Sequence, residues 1–196
     1  MARKPERLVL AELLKKLAPK IGAKVILEPE WQIAGQIRFR DGKYSYFRYN
    51  TLELNPVGAS DISKDKDYAN FFMRTMGYPT VRGKTFFSPE WCAAIGSKRN
   101  TAAAYRYARK LGFPVIVKPN SGSQGVGVFL VHNKRKFYRA IRFVFEHDRV
   151  ALVQRYLRGR DYRIVVLDTK VISAYERVAL SVVGDGSSSI RQLLKN

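Results

Sequence analysis

The alternation of apolar and polar positions divides the chain into short elements. Leu10, Leu13, Leu14 and Leu17 recur at the spacing of one helix face, and Pro19 and Gly22 predict its close. Lys24 to Leu27 reads as a short strand. Residues 33–39 and 44–49 read as two strands joined at Asp41-Gly42, a dipeptide that tolerates the positive φ of a tight hairpin turn. Asn55-Pro56 breaks that pattern. Residues 61–76 predict one helix, with Ile62, Tyr68, Phe72 and Met76 on a shared face and Gly77 as its stop. Residues 78–81 predict a strand.

A second series follows. Asn100 or Thr101 caps a helix lined by Ala103, Tyr107 and Leu111, with Gly112 as the stop and Pro114 just beyond. Residues 115–118 form a short apolar strand, and residues 128–131 another. Lys134 to His147 is strongly amphipathic: Phe137, Ile141, Val144 and Phe145 share one side, and Arg135, Arg139 and Arg142 the other. Residues 151–156, 162–167 and 171–177 predict strands, the last two joined at Asp168-Thr169. After Gly184-Asp185-Gly186, Ile190, Leu193 and Leu194 start a further helix.

Composition narrows the class. Of 196 residues, 46% are hydrophobic, enough to bury a core, so a disordered chain is excluded. No apolar run approaches the roughly 18 residues that a bilayer-spanning helix needs. Lys15 and Lys16 interrupt the leucine-rich start, which argues against a signal peptide. A single cysteine, Cys92, leaves no internal disulfide and predicts a reducing, cytoplasmic setting. Lys and Arg total 36 against 16 acids, a formal charge of +20, which favours polyanions: nucleic acid, phosphates or an acidic polymer. The basic residues are spread along the chain, and no RNA-binding signature accompanies them. His132 and His147 do not make a plausible metal pair.

The informative segment runs from Pro114 to Val128 and reads PVIVKPNSGSQGVGV. Gly122, Gly125 and Gly127, with Ser121 and Ser123, let backbone N–H groups crowd an anion without Cβ clashes. A Walker loop would need Gly-Lys-Ser/Thr opening a helix, and a dinucleotide fingerprint would need strand, loop and helix. This loop lies between two strands, as a flap. A flap that closes over phosphates excludes water and supplies fixed dipoles, and Lys118, at the end of the strand before it, adds a point charge. The competing reading is a glycine-rich turn beside an ordinary surface lysine.

The order of elements favours the flap. Helix, strand with Lys118, glycine flap, strand, helix, then Gln154-Arg155-Tyr156-Leu157 and Gly159-Arg160-Asp161-Tyr162-Arg163, resembles the ATP-grasp superfamily of carboxylate–amine ligases. The resemblance runs from about Ser60 to the end of the chain. Residues 171–179, followed by Val183-Gly184-Asp185-Gly186 and Ile190-Arg191-Gln192-Leu193-Leu194, look like the cyanophycin synthetase branch and its relatives, among them ligases that add glutamate to a ribosomal protein's tail. The resemblance implies an α+β fold with antiparallel sheets, helices and a glycine-rich flap between two strands. It also implies a division into an N-terminal helix and β-hairpin region (1–59), a nucleotide-binding lid (60–156) and the beginning of a C-terminal subdomain (157–196).

Site roles are likewise what the resemblance implies. Lys66, after Asp65, matches the first lysine that reaches the ATP phosphates, and Lys118 the second. Ser121, Gly122, Ser123, Gln124, Gly125, Val126 and Gly127 match the flap over the β- and γ-phosphates. Gln154, Arg155, Tyr156 and Leu157 match the interdomain strand whose backbone reads the adenine edge, although the family usually carries an acid where Gln154 stands. Asp161 matches the acid that takes the ribose hydroxyls. Arg163 and Arg177 match arginines near the acceptor and the acyl phosphate, the catalytic assignments here. The bland alternative for Asp161 and Arg163 is an ion pair at a strand start.

The implied cofactors are ATP and magnesium, and the implied partners are a carboxylate and an amine, with an acidic peptide or amino acid as one candidate. The family holds magnesium with an Asp and a Glu-x-Asn on later strands. Nothing after Arg177 offers that pattern, so the magnesium ligands are unassigned and the C-terminal subdomain is expected to be incomplete. Two other classes stay open: a nucleotide-binding module without ligase activity, and a basic nucleic-acid-binding protein. No membrane association is expected, and self-association is left open.

Overall fold

A computed structural model describes residues 9–123, 125–178 and 181–194. The chain separates into two compact units, Met1–Pro79 and Thr80–Asn196.

In the first unit, α1 (Val9–Leu17) runs into a 3-10 turn, Ala18–Ile21. The α-helix ends at Leu17, two residues before Pro19, as the sequence suggested. Pro19 sits in the first turn of the 3-10 segment, where a missing N–H costs nothing, and Gly22 at φ +70° closes it. An antiparallel meander follows: β1 (Lys24–Leu27), β2 (Ala34–Arg38), β3 (Tyr44–Arg48) and β4 (Thr51–Leu52). The β2–β3 hairpin turns at Gly42 (φ +83°), whose N–H donates to the Phe39 carbonyl. Gly35 is a packing requirement, because a Cβ there would lie 2.5 Å from the Ile26 carbonyl oxygen and 2.7 Å from the buried Phe47 ring.

The single helix expected over residues 61–76 is two helices, α2 (Val57–Lys64) and α3 (Lys66–Thr75). The break is Asp65, whose backbone is extended (φ −95°, ψ 114°) and whose carboxylate accepts from the N–H groups of Asp67 and Tyr68. An aspartate gains more as the cap of a new helix than as an interior residue of a longer one.

The second unit holds the main core. β5 (Gly83–Phe87), β6 (Val115–Pro119), β7 (Phe129–Val131) and β8 (Val150–Arg155) form an antiparallel sheet in the order β5-β8-β6-β7. The strand expected at residues 78–81 is absent there and begins instead at Gly83. Gly83 reads as a breaker, but it lies opposite Gln154, where a Cβ would come within 3.2 Å of the Val153 carbonyl oxygen. The sequence reading also passed over α4 (Pro89–Ile95), although Ser88 caps it, Pro89 opens it and Gly96 (φ +64°) ends it.

One face of the sheet is covered by α5 (Thr101–Leu111) and α6 (Lys134–His147), capped by the Asn100 and Asn133 side chains. Val115, Val117, Phe137, Val144, Ala151 and Val153 are fully buried between them. Each large apolar side chain removed from water there contributes about 1.5–3 kcal/mol. Asn100 and Asn133 explain why these two helices begin where the sequence placed them.

Beyond the sheet, β9 (Asp161–Leu167) and β10 (Lys170–Arg177) form a separate two-stranded hairpin, exposed on both faces. A short helix, α7 (Ile190–Leu193), follows. Mixed helices and antiparallel sheets make this the α+β architecture expected. No helix among the described residues is long and apolar enough to cross a membrane.

Candidate functional site

Partners in an antiparallel ladder point to the same face, so register shows what the sheet offers away from its helices. Val115 and Val117 point to α5 and α6, which turns Ile116 and Lys118 to the other face. Gln154 and Leu130 flank Ile116 on the neighbouring strands, and Gly83 lies beyond Gln154. The next row is Lys118, Leu152 and Thr85. Leu152 and Thr85 are buried, and the Arg99 guanidinium donates to the Thr85 hydroxyl at 3.1 Å, so this end of the face is closed. Ile116, Lys118, Gln154 and Leu130 are only partly covered or exposed. They form an apolar strip with a cation and an amide beside it, at the root of the flap.

The flap entrance is fastened. Asn120 is buried, and its N–H donates to the Val150 carbonyl at 2.9 Å. The Ser121 N–H and hydroxyl both donate to Asp148 Oδ2, at 3.1 and 2.7 Å, while Asp148 Oδ1 accepts from the Val150 N–H at 3.0 Å. Asp148 thus ties the start of the flap to the turn between α6 and β8. At the exit, Gly127 (φ +70°) passes so close to Pro119 that a Cβ would sit 3.0 Å from its ring. Gly122 and Gly125 also have positive φ, and Ser123, Gly125 and Val126 are exposed between the two anchors. Gln124 lies outside the described residues.

The Asp148 tether carries an expectation of its own. Asp148→Ala removes the acceptor of both Ser121 bonds and should loosen the flap while leaving the sheet intact. Limited proteolysis should then cut within residues 121–127 at least several-fold faster than in the parent chain. Unchanged cleavage would show that the tether does not hold the flap.

On the hairpin, register places Asp161, Arg163, Tyr175 and Arg177 on one face. Arg177 Nη2 donates to Asp161 Oδ2 at 2.5 Å, so the partner of Asp161 is the residue across the ladder rather than Arg163. Two residues to which the resemblance gave separate roles are therefore joined. Both are about half exposed, so the pair contributes little to stability. Arg155 ends β8, its N–H donating to the Arg82 carbonyl at 2.9 Å, and Tyr156 and Leu157 follow it. Lys66 is the first residue of α3, half-buried, in the other compact unit.

The described acids do not assemble a metal cage. Among the described residues no group of three or more His, Cys, Asp or Glu could hold an ion. Asp185, the acid after Arg177, is engaged by Ser188 and Ser187, whose hydroxyl and N–H bonds hold its carboxyl well below the usual range. The described residues do not fit the magnesium site that the resemblance implied. Partial burial pushes the Cys92 thiol up, away from the thiolate that a nucleophile would need.

Sequence reasoning missed Ile116, Leu130, Gly83 and Asp148. The alternation through residues 115–119 already set Ile116 on the same face as Lys118. Nothing local pointed to Asp148, which meets the flap 27 residues away in sequence.

The family described as D-ala D-ala ligase C-terminus matches residues 72–185, which include the sheet, the flap and the hairpin. The chain belongs to that ATP-grasp family. D-alanine–D-alanine ligase A of Bacillus cereus is 43% identical over 112 residues, covering 57% of this chain and 34% of the relative. Cyanophycin synthetase of Trichormus variabilis is 28% identical over 136 residues, covering 69% of this chain and 14% of the relative. The solved D-alanine–D-alanine ligase of Bacillus anthracis, complexed with ATP, superposes with a TM-score of 0.50 at 27% identity, covering 63% of this chain and 38% of that one. This family member thus spans about a seventh of the cyanophycin synthetase it matches and about a third of the Bacillus cereus ligase.

Proposed function

We propose that the chain supplies the nucleotide-binding part of an ATP-dependent carboxylate–amine ligase, working in the cytoplasm. The observation that carries this reading is the placement of Ile116, Lys118 and Gln154 on one open sheet face at the root of a glycine flap. Ile116 and Leu130 offer an apolar bed for a purine. The backbone from Gln154 to Leu157 offers polar groups for the base edge, with the Gln154 amide standing where the family usually has an acid. Lys118 directs its ammonium at the phosphates, and the flap from Ser121 to Gly127 lays N–H groups over them. The family resemblance assigns Lys66, in the first compact unit, the role of a further phosphate-binding cation. Asp161 takes the ribose hydroxyls, held by Arg177, and Arg163 and Arg177 face the acyl phosphate and the acceptor.

In the reaction, a carboxylate oxygen attacks the γ-phosphorus of ATP and ADP leaves, giving an acyl phosphate. An amine nitrogen then attacks the acyl carbon, phosphate departs, and an amide remains after loss of a proton. The lysines, arginines and flap amides stabilise negative charge spread over the transferring phosphoryl oxygens. No side-chain nucleophile is required. The substrates are a carboxylate and an amine of amino-acid or short-peptide type. In this reading residues 60–156 serve as the lid, preceded by 1–59 and followed by the start of the next subdomain, 157–196.

The test separates base from phosphate. Ile116→Asp places a charge in the purine bed and should weaken an ATP analogue at least tenfold while leaving tripolyphosphate binding within twofold. Unchanged affinity for the ATP analogue would overturn the placement of the base. Residues 1–196 should bind ATP without releasing ADP in response to a carboxylate and an amine, because the described residues build no metal cage. Robust acceptor-dependent ADP release would contradict that account of the acids.

A further inference from the structure

On the helix side of the same sheet, away from the nucleotide face, a groove of about 930 Å³ runs along β7 and α6. Phe129 and Phe143 supply apolar surface, with Phe143 38% exposed. Its charge is one-sided: Arg135, Lys136, Arg139 and Arg142 line it, against Glu146 alone. These cations are exposed, and no acid is close enough in the same stretch of α6 to neutralise more than one of them.

Three features define the occupant. Among the described residues, β7 pairs only with β6, so its outer edge offers backbone groups to another strand. Arg135, Arg139 and Arg142 fall on one stripe of α6 and span about 10 Å along its axis, the length of about three residues of extended chain. The aromatic rings of the groove are already engaged: Phe143 packs edge-on to Phe129 at 5.2 Å and stacks on His147 at 4.5 Å. Nucleic-acid bases would need free aromatic faces for stacking, which these rings do not offer. A second copy of this chain is disfavoured by the formal charge of +20 that each would bring.

We propose that this groove docks an extended acidic peptide segment, added as a strand to the edge of β7, with acidic side chains at alternate positions meeting Arg135, Arg139 and Arg142. The site lies on the opposite side of the sheet from the nucleotide face and does not depend on that reading.

The test uses a fluorescein-labelled decapeptide of alternating Glu and Val, followed by anisotropy at physiological salt. A Glu/Pro decapeptide keeps the charge, but its prolines withhold every second N–H and hold φ at about −65°, which disfavours the extended backbone of a ladder. A ten-nucleotide oligouridylate serves as the polyanion control. The Glu/Val peptide should bind at least fivefold tighter than either control. Arg139→Glu combined with Arg142→Glu, both on the exposed face of α6, should weaken it at least tenfold, while Lys118→Ala leaves it unchanged. Backbone amide resonances of Phe129–Val131 should shift on binding. Equal affinity for the Glu/Pro peptide would overturn the added strand. Tighter binding of the oligonucleotide would overturn the choice of partner, and indifference to the double charge reversal would overturn the site.

Discussion

Lys118→Ala is expected to weaken binding of a non-hydrolysable ATP analogue by roughly 10- to 150-fold, the equivalent of about 1.5–3 kcal/mol for a charge-assisted contact. Lys118 ends its run of β6 on the open face, directly before the anchored start of the flap. The control is Lys134→Ala. Lys134 opens α6 with its ammonium 5.9 Å from the Tyr105 ring centre, on the helix side of the sheet, and its loss should change affinity less than twofold. Both variants remove one positive charge, so a general electrostatic effect would weaken them equally. Calorimetry giving the same affinity for the two would reject Lys118 as a phosphate ligand.

Phe137→Ala should have the largest effect on stability. Phe137 is completely buried, and it packs against Tyr105 at 5.4 Å between ring centres. Truncating a buried phenylalanine costs about 3–5 kcal/mol through lost transfer energy and the cavity left behind. That is a large share of the roughly 5–15 kcal/mol by which a domain is stable. The two tryptophans allow the loss to be localised, since Trp31 belongs to the first compact unit and Trp91 to the second. In urea, the Trp91 signal of a Trp31→Phe background should shift to a much lower midpoint. The Trp31 signal of a Trp91→Phe background should move little. A loss below about 1 kcal/mol would mean that α6 is not the keystone of this core, since the smallest core truncations already cost that much.

What could be read from the sequence was local. α6 was legible because its apolar stripe and its length both favour the same helix. The flap was legible because glycines with positive φ, between two short apolar strands, leave few alternatives. What escaped depended on competition or on distant partners. Asp65 splits a stretch that is helical by periodicity alone, since the cap it makes outweighs one more turn. β5 begins at a glycine, and that glycine acquires its purpose only from Gln154 across the ladder. The Asp161–Arg177 pair depends on hairpin register, which a bulge between Val171 and Ser173 shifts by one residue. Without the bulge, the alternation of β10 would assign its side chains to the wrong faces. Ile116 was legible in principle, since its place beside Lys118 needs only the two-residue period of a strand.

The site also shows how two-sided the small sheet is. Val115 and Val117 fix β6 to the helices, and that fixation is what holds Ile116 and Lys118 outward at a defined spacing. Substitutions in the core should therefore reach nucleotide binding only by unfolding the unit, whereas Asp148 and Gly127 act on the flap alone.

Nuclear magnetic resonance of the isotopically labelled chain, titrated with a non-hydrolysable ATP analogue, tests the central claim most directly. The account predicts that the largest backbone shifts fall on Ile116, Lys118, residues 121–127 and residues 154–157, while Arg135, Arg139 and Arg142 on the opposite side stay still. Shifts confined to α6 and the edge of β7, with the flap and Ile116 unmoved, would contradict it.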